Sequence, residues 1–345
     1  MKKLLSLTLA LIMVLSLSVA VFAADPDPYY PDDMSQVTIN VTYKAANTET
    51  TSPAEDFTFN YTKTEVTNAA TGVDVDDMPD LTIGNAHFDE GVAQTSPATA
   101  NGSVTISLPA VASFPSVGIY TYIIRPQAGN TAGVTYYAED IRLVITVIEA
   151  TGGKRRIAAV HTETDGGKKA NNIDYLYSAG KLNVTKVVDG NLGDRDKEFN
   201  VTVTFTAPAN EKVKSVISYT DGTTKTIEIS AWKEENGSKQ AEVTIALKHN
   251  ETVTFTNIPY DVTYEVVEAD YTSTENGKYD AAKYNFTDAA KKVDSASDTV
   301  TITNTKNSPV DTGIVLDSLP YVLLIAVAVV GVVIFTARKR SHREY

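Results

Sequence analysis

The chain is 345 residues long, carries a formal net charge of −13 and contains no cysteine. An acidic chain without a long basic stripe excludes nucleic acid as a partner, and a chain without cysteine excludes disulfide bracing. Its four histidines fall in no ligand spacing, and neither a cysteine nucleophile nor a serine elbow is present, so no metal, cofactor or hydrolytic site is expected.

Met1-Lys2-Lys3 opens the chain, followed by an uncharged apolar run from Leu4 to Phe22 and the small pair Ala23-Ala24. A basic start, an apolar run and small residues make a secretory signal peptide over 1–24. A permanent N-terminal membrane anchor is the alternative; the small residues and the following Asp25-Pro26-Asp27-Pro28 favour a cleaved signal and a mature start. Residues 25–34 read as an extended, proline-rich leader. The exported remainder of about 290 residues fits two domains.

Period-two alternation then recurs with turn residues between, the mark of half-buried strands. It is clear in Val37–Tyr43, Phe57–Tyr61, Ser103–Leu108, Ile119–Ile124 and Leu143–Ile148. It returns in Leu182–Lys186, Phe199–Phe205, Ala241–Leu247, Val253–Thr256 and Val300–Asn304. Short strands at this density predict an all-β chain of two tandem immunoglobulin-like sandwiches. Ser178-Ala179-Gly180 marks the boundary, which gives domain one as 35–178 and domain two as 181–306. Asp74-Val75-Asp76-Asp77 is acidic enough to suggest calcium but lacks the glycine and terminal glutamate of a calcium loop, and reads as a solvated turn.

In domain two the alternation carries a chemical anomaly. Leu182, Val184 and Lys186 share one face of the first strand; Tyr264, Val266 and Glu268 share one face of a middle strand; Val300, Ile302 and Asn304 share one face of the last. An unpaired buried charge costs several kcal/mol, so a lysine on a core row needs a reason. One reason is an edge-strand lysine whose stem packs while its amine reaches water. The other is a reaction. Desolvation lowers a lysine pKa and makes the amine a nucleophile, while it keeps a glutamic acid protonated and able to polarise an amide. Attack of Lys186 on the Asn304 side chain, assisted by Glu268, would release ammonia and leave an intramolecular isopeptide bond.

The C-terminal segment, 307–345, contains Pro309-Val310-Asp311-Thr312-Gly313, a charge-free run from Leu319 to Ala337, and Arg338-Lys339-Arg340 within a basic tail, 338–345. As a helix the run could cover most of a ~30 Å hydrocarbon core, with the basic tail on the cytoplasmic side. An ordinary single-pass membrane protein would share that layout.

Together, Thr312-Gly313, the spacer, the apolar run and the basic tail resemble a sortase sorting signal, with Pro309 and Val310 where Leu and Pro are usual. Leu182-Asn-Val-Thr-Lys186, Gly193-Asp-Arg-Asp-Lys-Glu-Phe199, Asn257-Ile-Pro-Tyr-Asp-Val-Thr-Tyr264-Glu-Val-Val-Glu268 and Ile302-Thr-Asn304 resemble the streptococcal-type pilin isopeptide-linkage domain, a CnaB-like sandwich. The resemblance implies that Lys186 and Asn304 are linked with Glu268 as catalytic acid. It also implies that sortase cleaves between Thr312 and Gly313, and that Thr312 passes to a lysine of another pilin subunit or to peptidoglycan. Domain one is similar to the family's N-terminal domain, but alignment places Tyr43, Pro126 and Tyr177 at the three reactive positions, so no bond is expected there. The family's acceptor lysine falls on Gly166-Gly167-Lys168-Lys169, with Lys169 the first choice and Lys168 the second; both could equally be solvated loop lysines. The function implied is a pilus shaft subunit on the cell wall of a Gram-positive-type bacterium, its precursor held in the plasma membrane. A singly anchored adhesin is the alternative, and no enzymatic activity beyond the self-linkage is expected.

Overall fold

The structure, a computed structural model, describes residues 34–48, 50–93, 100–164, 166–220, 223–286, 291–308 and 319–341. The signal segment 1–24, the leader up to residue 33 and the 309–313 motif with Thr312 and Gly313 lie outside the described residues.

Two sandwiches follow one another. The first is built from β1 (Gln36–Ala45), β2 (Phe59–Thr67), β3 (Ala100–Ser107), β4 (Gly118–Pro126), β5 (Ile141–Ala150), β6 (Lys154–Thr164) and β7 (Asn172–Tyr177). Its sheets are β3-β1-β7, with two-residue strands at both edges, and β6-β5-β4-β2. The second contains β8 (Ala179–Asp189), β9 (Phe199–Ala207), β10 (Ser238–Leu247), β11 (Thr252–Pro259), β12 (Thr263–Glu268) and β13 (Ser297–Thr305). There β11-β8-β13 form the centre of one sheet and β10-β9-β12 the centre of the other.

In both sandwiches the first and last strands are parallel neighbours, β1 with β7 and β8 with β13. The other strand ladders among the described residues are antiparallel. Alternation decides what lies between the sheets: Ile39, Val41 and Tyr43 of β1 and Leu182, Val184 and Lys186 of β8 are all fully buried. The core of domain one is aromatic. Phe57 stacks on Tyr175 with ring centroids 3.6 Å apart, and Tyr43 packs edge-on to Phe57 at 5.3 Å.

The alternation did not reveal β6. Its sequence, KRRIAAVHTET, opens on three cations and breaks register at a bulge between Ile157 and Ala159, so its inward residues do not fall on a single period. It is an edge strand, where charge is tolerated.

The second sandwich begins at Ala179, three residues before the periodic run, and only Ser178 separates it from β7. Gly180 permits this close start, because a Cβ there would sit 2.2 Å from the Ser295 carbonyl oxygen. The joint is densely bonded. Lys212 N–H donates to the Asn130 carbonyl at 2.7 Å and Ala132 N–H to the Lys212 carbonyl at 2.9 Å. Glu55, buried in domain one, meets Lys214 Nζ of domain two at 2.7 Å. Asn257 holds a left-handed φ of 63° and accepts from Thr51 N–H at 3.0 Å through Oδ1, while its Nδ2 donates to the Val216 carbonyl at 3.0 Å.

After the sandwiches, α1 runs from Leu319 to Ser341. The large apolar side chains described in it, from Tyr321 to Phe335, are exposed. Among the described residues no helix is long and apolar enough to cross a membrane; the side chains of Leu319, Pro320 and Ala337 lie outside that set.

Candidate functional site

β8 and β13 lie side by side with Lys186 opposite Ile302 and Val188 opposite Asn304. The inward face of β8 therefore presents Lys186 one step before the inward face of β13 presents Asn304. The backbone around Lys186 is held on its other edge by the turn 248–251: its N–H donates to the Glu251 carbonyl at 3.0 Å and its carbonyl accepts from Asn250 N–H at 2.8 Å. Val188 N–H donates to His249 Nδ1 at 2.9 Å. On the facing sheet β12 ends at Glu268, paired with Val201 of β9.

These three side chains converge. Lys186 Nζ lies 2.5 Å from Asn304 Oδ1, donates to the Val187 carbonyl at 2.9 Å, and sits 3.4 Å from Glu268 Oε1. The Lys186 side chain is 0% exposed and that of Glu268 1%. The amine stands 4.3 Å from the Phe199 ring centroid, and Phe199 packs with Tyr271 and Tyr279, so water is kept from it.

The electrostatics of so dry a site favour neutral partners. Burial lowers the Lys186 pKa, partly opposed by Glu268. Burial raises that of Glu268, opposed by Lys186 and Asn304. The 3.4 Å separation fits an ion pair, yet neither Glu268 carboxyl oxygen has a hydrogen-bond partner. A carboxylate here would lose its hydration shell with no hydrogen bond to replace it, and burial presses the amine and the acid alike toward their neutral forms. A neutral amine beside an amide, with a carboxylic acid at hand, is a set for nucleophilic substitution at the amide carbon.

Domain one holds the equivalent positions and different residues. Tyr43 lies opposite Tyr175 and Ala45 opposite Tyr177, as Lys186 and Val188 lie opposite Ile302 and Asn304. Pro126 pairs with Phe59 where Glu268 pairs with Val201. Tyr43 is fully buried with an unpartnered hydroxyl, whereas Tyr177 donates to Ser215 Oγ at 2.7 Å and reaches Asn257 Oδ1 at 3.2 Å, both in domain two. Lys44, one residue from the reactive register, points outward to Asp174 at 2.7 Å.

Lys168 and Lys169 are exposed on the turn before β7, in the first sandwich, whereas the Lys186 cluster lies in the second. The Lys168 carbonyl accepts from Thr164 N–H at 2.7 Å, and the Lys169 backbone forms an isolated antiparallel β-bridge with Glu163. The acidic turn at 74–77 spends its carboxylates on its own backbone, Asp74 Oδ1 accepting from Asp76 N–H at 2.9 Å and Asp77 Oδ2 from Asp74 N–H at 3.2 Å. Among the described residues no His, Asp or Glu cluster could hold a metal ion.

The site thus stands in the second of two tandem immunoglobulin-like sandwiches with parallel first and last strands, and consists of a buried Lys, Glu and Asn. The chain is similar to streptococcal pilins over most of its length. Residues 36–175 match the Spy0128-like isopeptide containing domain, and residues 180–306 match a domain family of unknown function. The chain is 27% identical over 323 residues to a pilin of Streptococcus pyogenes serotype M1, covering 89% of this chain and 92% of that one. The fold is similar to the T3.2 major pilin of Streptococcus pyogenes (TM-score 0.51, 20% identity) and to a single-substitution mutant of a major pilin of the same species (TM-score 0.52, 21% identity). Each comparison covers 79% of this chain and 99% of the other. The isopeptide-domain match thus falls on the sandwich whose reactive positions hold Tyr43, Pro126 and Tyr177, while the Lys186 cluster lies in the other.

Proposed function

We propose that the chain is a structural subunit of a pilus shaft, joined to its neighbours by sortase through Thr312 and stapled internally between Lys186 and Asn304. The observation that carries this reading is the buried Lys186 amine, 2.5 Å from Asn304 Oδ1, with Glu268 alongside. The neutral amine attacks the Asn304 side-chain carbon; the new C–N bond forms, the bond to Nδ2 breaks, and ammonia leaves carrying the proton that Nζ gives up. Glu268 lends its proton to the amide oxygen and recovers it, so it is unchanged at the end. Holding the groups in contact replaces a large share of the entropic barrier. The reaction happens once per chain, which makes the chain its own substrate and not an enzyme.

The precursor is exported by its signal peptide and held at the membrane by the apolar segment that begins at Leu319. Sortase cleaves after Thr312 and transfers it to Lys169 or Lys168 of the next subunit, or to peptidoglycan at the base. The product is a fibre on the cell surface.

Intact-mass measurement of the mature protein tests the staple. The expected mass is short of the sequence by one ammonia, and Glu268→Gln or Lys186→Ala restores it; a full-mass wild type would sink the reading. For assembly, wall extracts are expected to show a sortase-dependent ladder of high-mass species that Lys169→Ala or Lys168→Ala abolishes.

A further inference from the structure

Glu268 is the last residue of β12, and neither of its carboxyl oxygens is hydrogen-bonded. Beyond the approach of Lys186 Nζ at 3.4 Å, its direction is set through its backbone. Among the described residues the outer neighbour of β12 pairs with it only at Thr263 and Tyr264, far from Glu268. What holds the Glu268 end is a phenol: the Glu268 backbone N–H donates to the Tyr284 hydroxyl at 2.9 Å.

Tyr284 comes from the facing sheet. It lies on the short strand Lys283–Tyr284, paired with Ile302 of β13, two residues from Asn304. Asn285 anchors that strand to β13 through both ends of its amide. Nδ2 donates to the Thr299 carbonyl at 3.0 Å, and Oδ1 accepts from Thr301 N–H at 3.0 Å. The half-buried phenol thus spans from the sheet that carries the lysine and the amide to the strand that carries the acid.

We propose that Tyr284 is a positioning residue of the staple reaction: its hydroxyl fixes the end of β12 so that the Glu268 carboxyl faces the Lys186 amine and the Asn304 amide. The inference rests on the staple proposed above. It adds that β13 delivers two parts of the chemistry together, the amide itself and, through Lys283–Tyr284, the group that aims the acid. Linkage then follows the docking of the last strand. A misaimed acid cannot exchange protons with the amide in the time the groups are in contact.

The test follows linkage during cell-free synthesis of the full mature chain, with the loss of one ammonia read by intact mass at intervals. Tyr284→Phe keeps the ring and removes only the hydroxyl, and it is expected to slow linkage at least tenfold. Val267→Ala, exposed and adjacent in the chain, is expected to link at the wild-type rate. The titratable groups facing Glu268 are Lys186 of β8 and Tyr284 itself. The pH dependence of the linkage rate is therefore expected to shift in Tyr284→Phe and not in Val267→Ala, a change that loss of packing alone would not produce. Equal rates and equal pH profiles for Tyr284→Phe and wild type would overturn the proposal. Should Tyr284→Phe fold poorly, Asn285→Ala, which frees the short strand but leaves the phenol, is expected to slow linkage as well, and a wild-type rate there would overturn it too. A wild type that never loses ammonia refutes the staple itself, which is a different result from a wild type and a Tyr284→Phe variant that link equally fast.

Discussion

Lys186 is the residue on which the proposed staple turns, because burial pushes its amine toward the neutral, nucleophilic form and leaves an unreacted lysine costly to hold in the core. With the bond formed, the lysine no longer titrates. With the bond blocked, the remaining acid is exposed to linkage between pH and stability. In Lys186→Met, Glu268 loses the basic neighbour that opposes the upward push of burial on its pKa. Below the unfolded value of roughly 4.3 both states are protonated and stability is fully present. Between that value and the raised folded value the native state holds the extra proton, so stability falls as pH rises. The denaturant midpoint of Lys186→Met is expected to decline from about pH 4 towards neutrality, and adding Glu268→Gln is expected to flatten the slope. A flat profile for the single variant would mean that Glu268 reaches water. Glu268→Gln alone, nearly the same shape, is expected to cost the mature protein roughly 5 kcal/mol if the staple acts as a disulfide closing a loop of this length would.

At the scale of elements, the two sandwiches use the same strand ends for different ends. The pair β8 and β13 brings a lysine to an amide, while β1 and β7 bring two tyrosines to the same places. Tyr43 fills volume against Phe57 and Phe88 and leaves its hydroxyl unpartnered, whereas Tyr177 sends its hydroxyl out of the sandwich to Ser215 and Asn257. The two conservative substitutions should differ in sign. Tyr43→Phe removes a buried group that bonds nothing and is expected to be neutral or to stabilise by up to about 1 kcal/mol. Tyr177→Phe removes the donor that Ser215 Oγ accepts at the buried joint and is expected to destabilise by about 1–3 kcal/mol. Thermal or denaturant unfolding of both variants checks this, and equal effects would show that Tyr177 packs and does not tether.

Across the whole molecule, β8 leaves Ser178 and runs away from domain one, and β13 runs beside it in the same direction, so the chain exits at the far end of domain two. Tension applied along the fibre would otherwise shear β8 from β13. A bond between Lys186 and Asn304 removes the 118-residue interval from that line. With Lys168 or Lys169 as acceptor, tension enters just ahead of β7, passes through Ser178 to Lys186, crosses to Asn304 and leaves by Thr312. Most of domain one then hangs beside the line of force, a physical reason why it can dispense with a staple. Pulled singly between residue 169 and the C-terminal end of β13, wild type is expected to resist extension. Lys186→Ala is expected to release up to roughly 400 Å of chain when domain two unfolds. Equal extensions would separate the staple from any mechanical role.

Alternation alone was enough to read most strands, the all-β class, and the burial of Lys186, Glu268 and Asn304, because a period of two assigns each side chain to a face regardless of the fold around it. It failed at β6, where a bulge breaks the period, and at the first residues of β8, where Gly180 starts the strand early. Which inward residues meet was a matter for the tertiary structure: Glu268 comes from the facing sheet, Tyr177 reaches into the neighbouring domain, and Tyr284 closes an edge from a strand of two residues. A face is a local property of the backbone, whereas a contact across the core depends on the register of strands distant in the chain, and only packing fixes that.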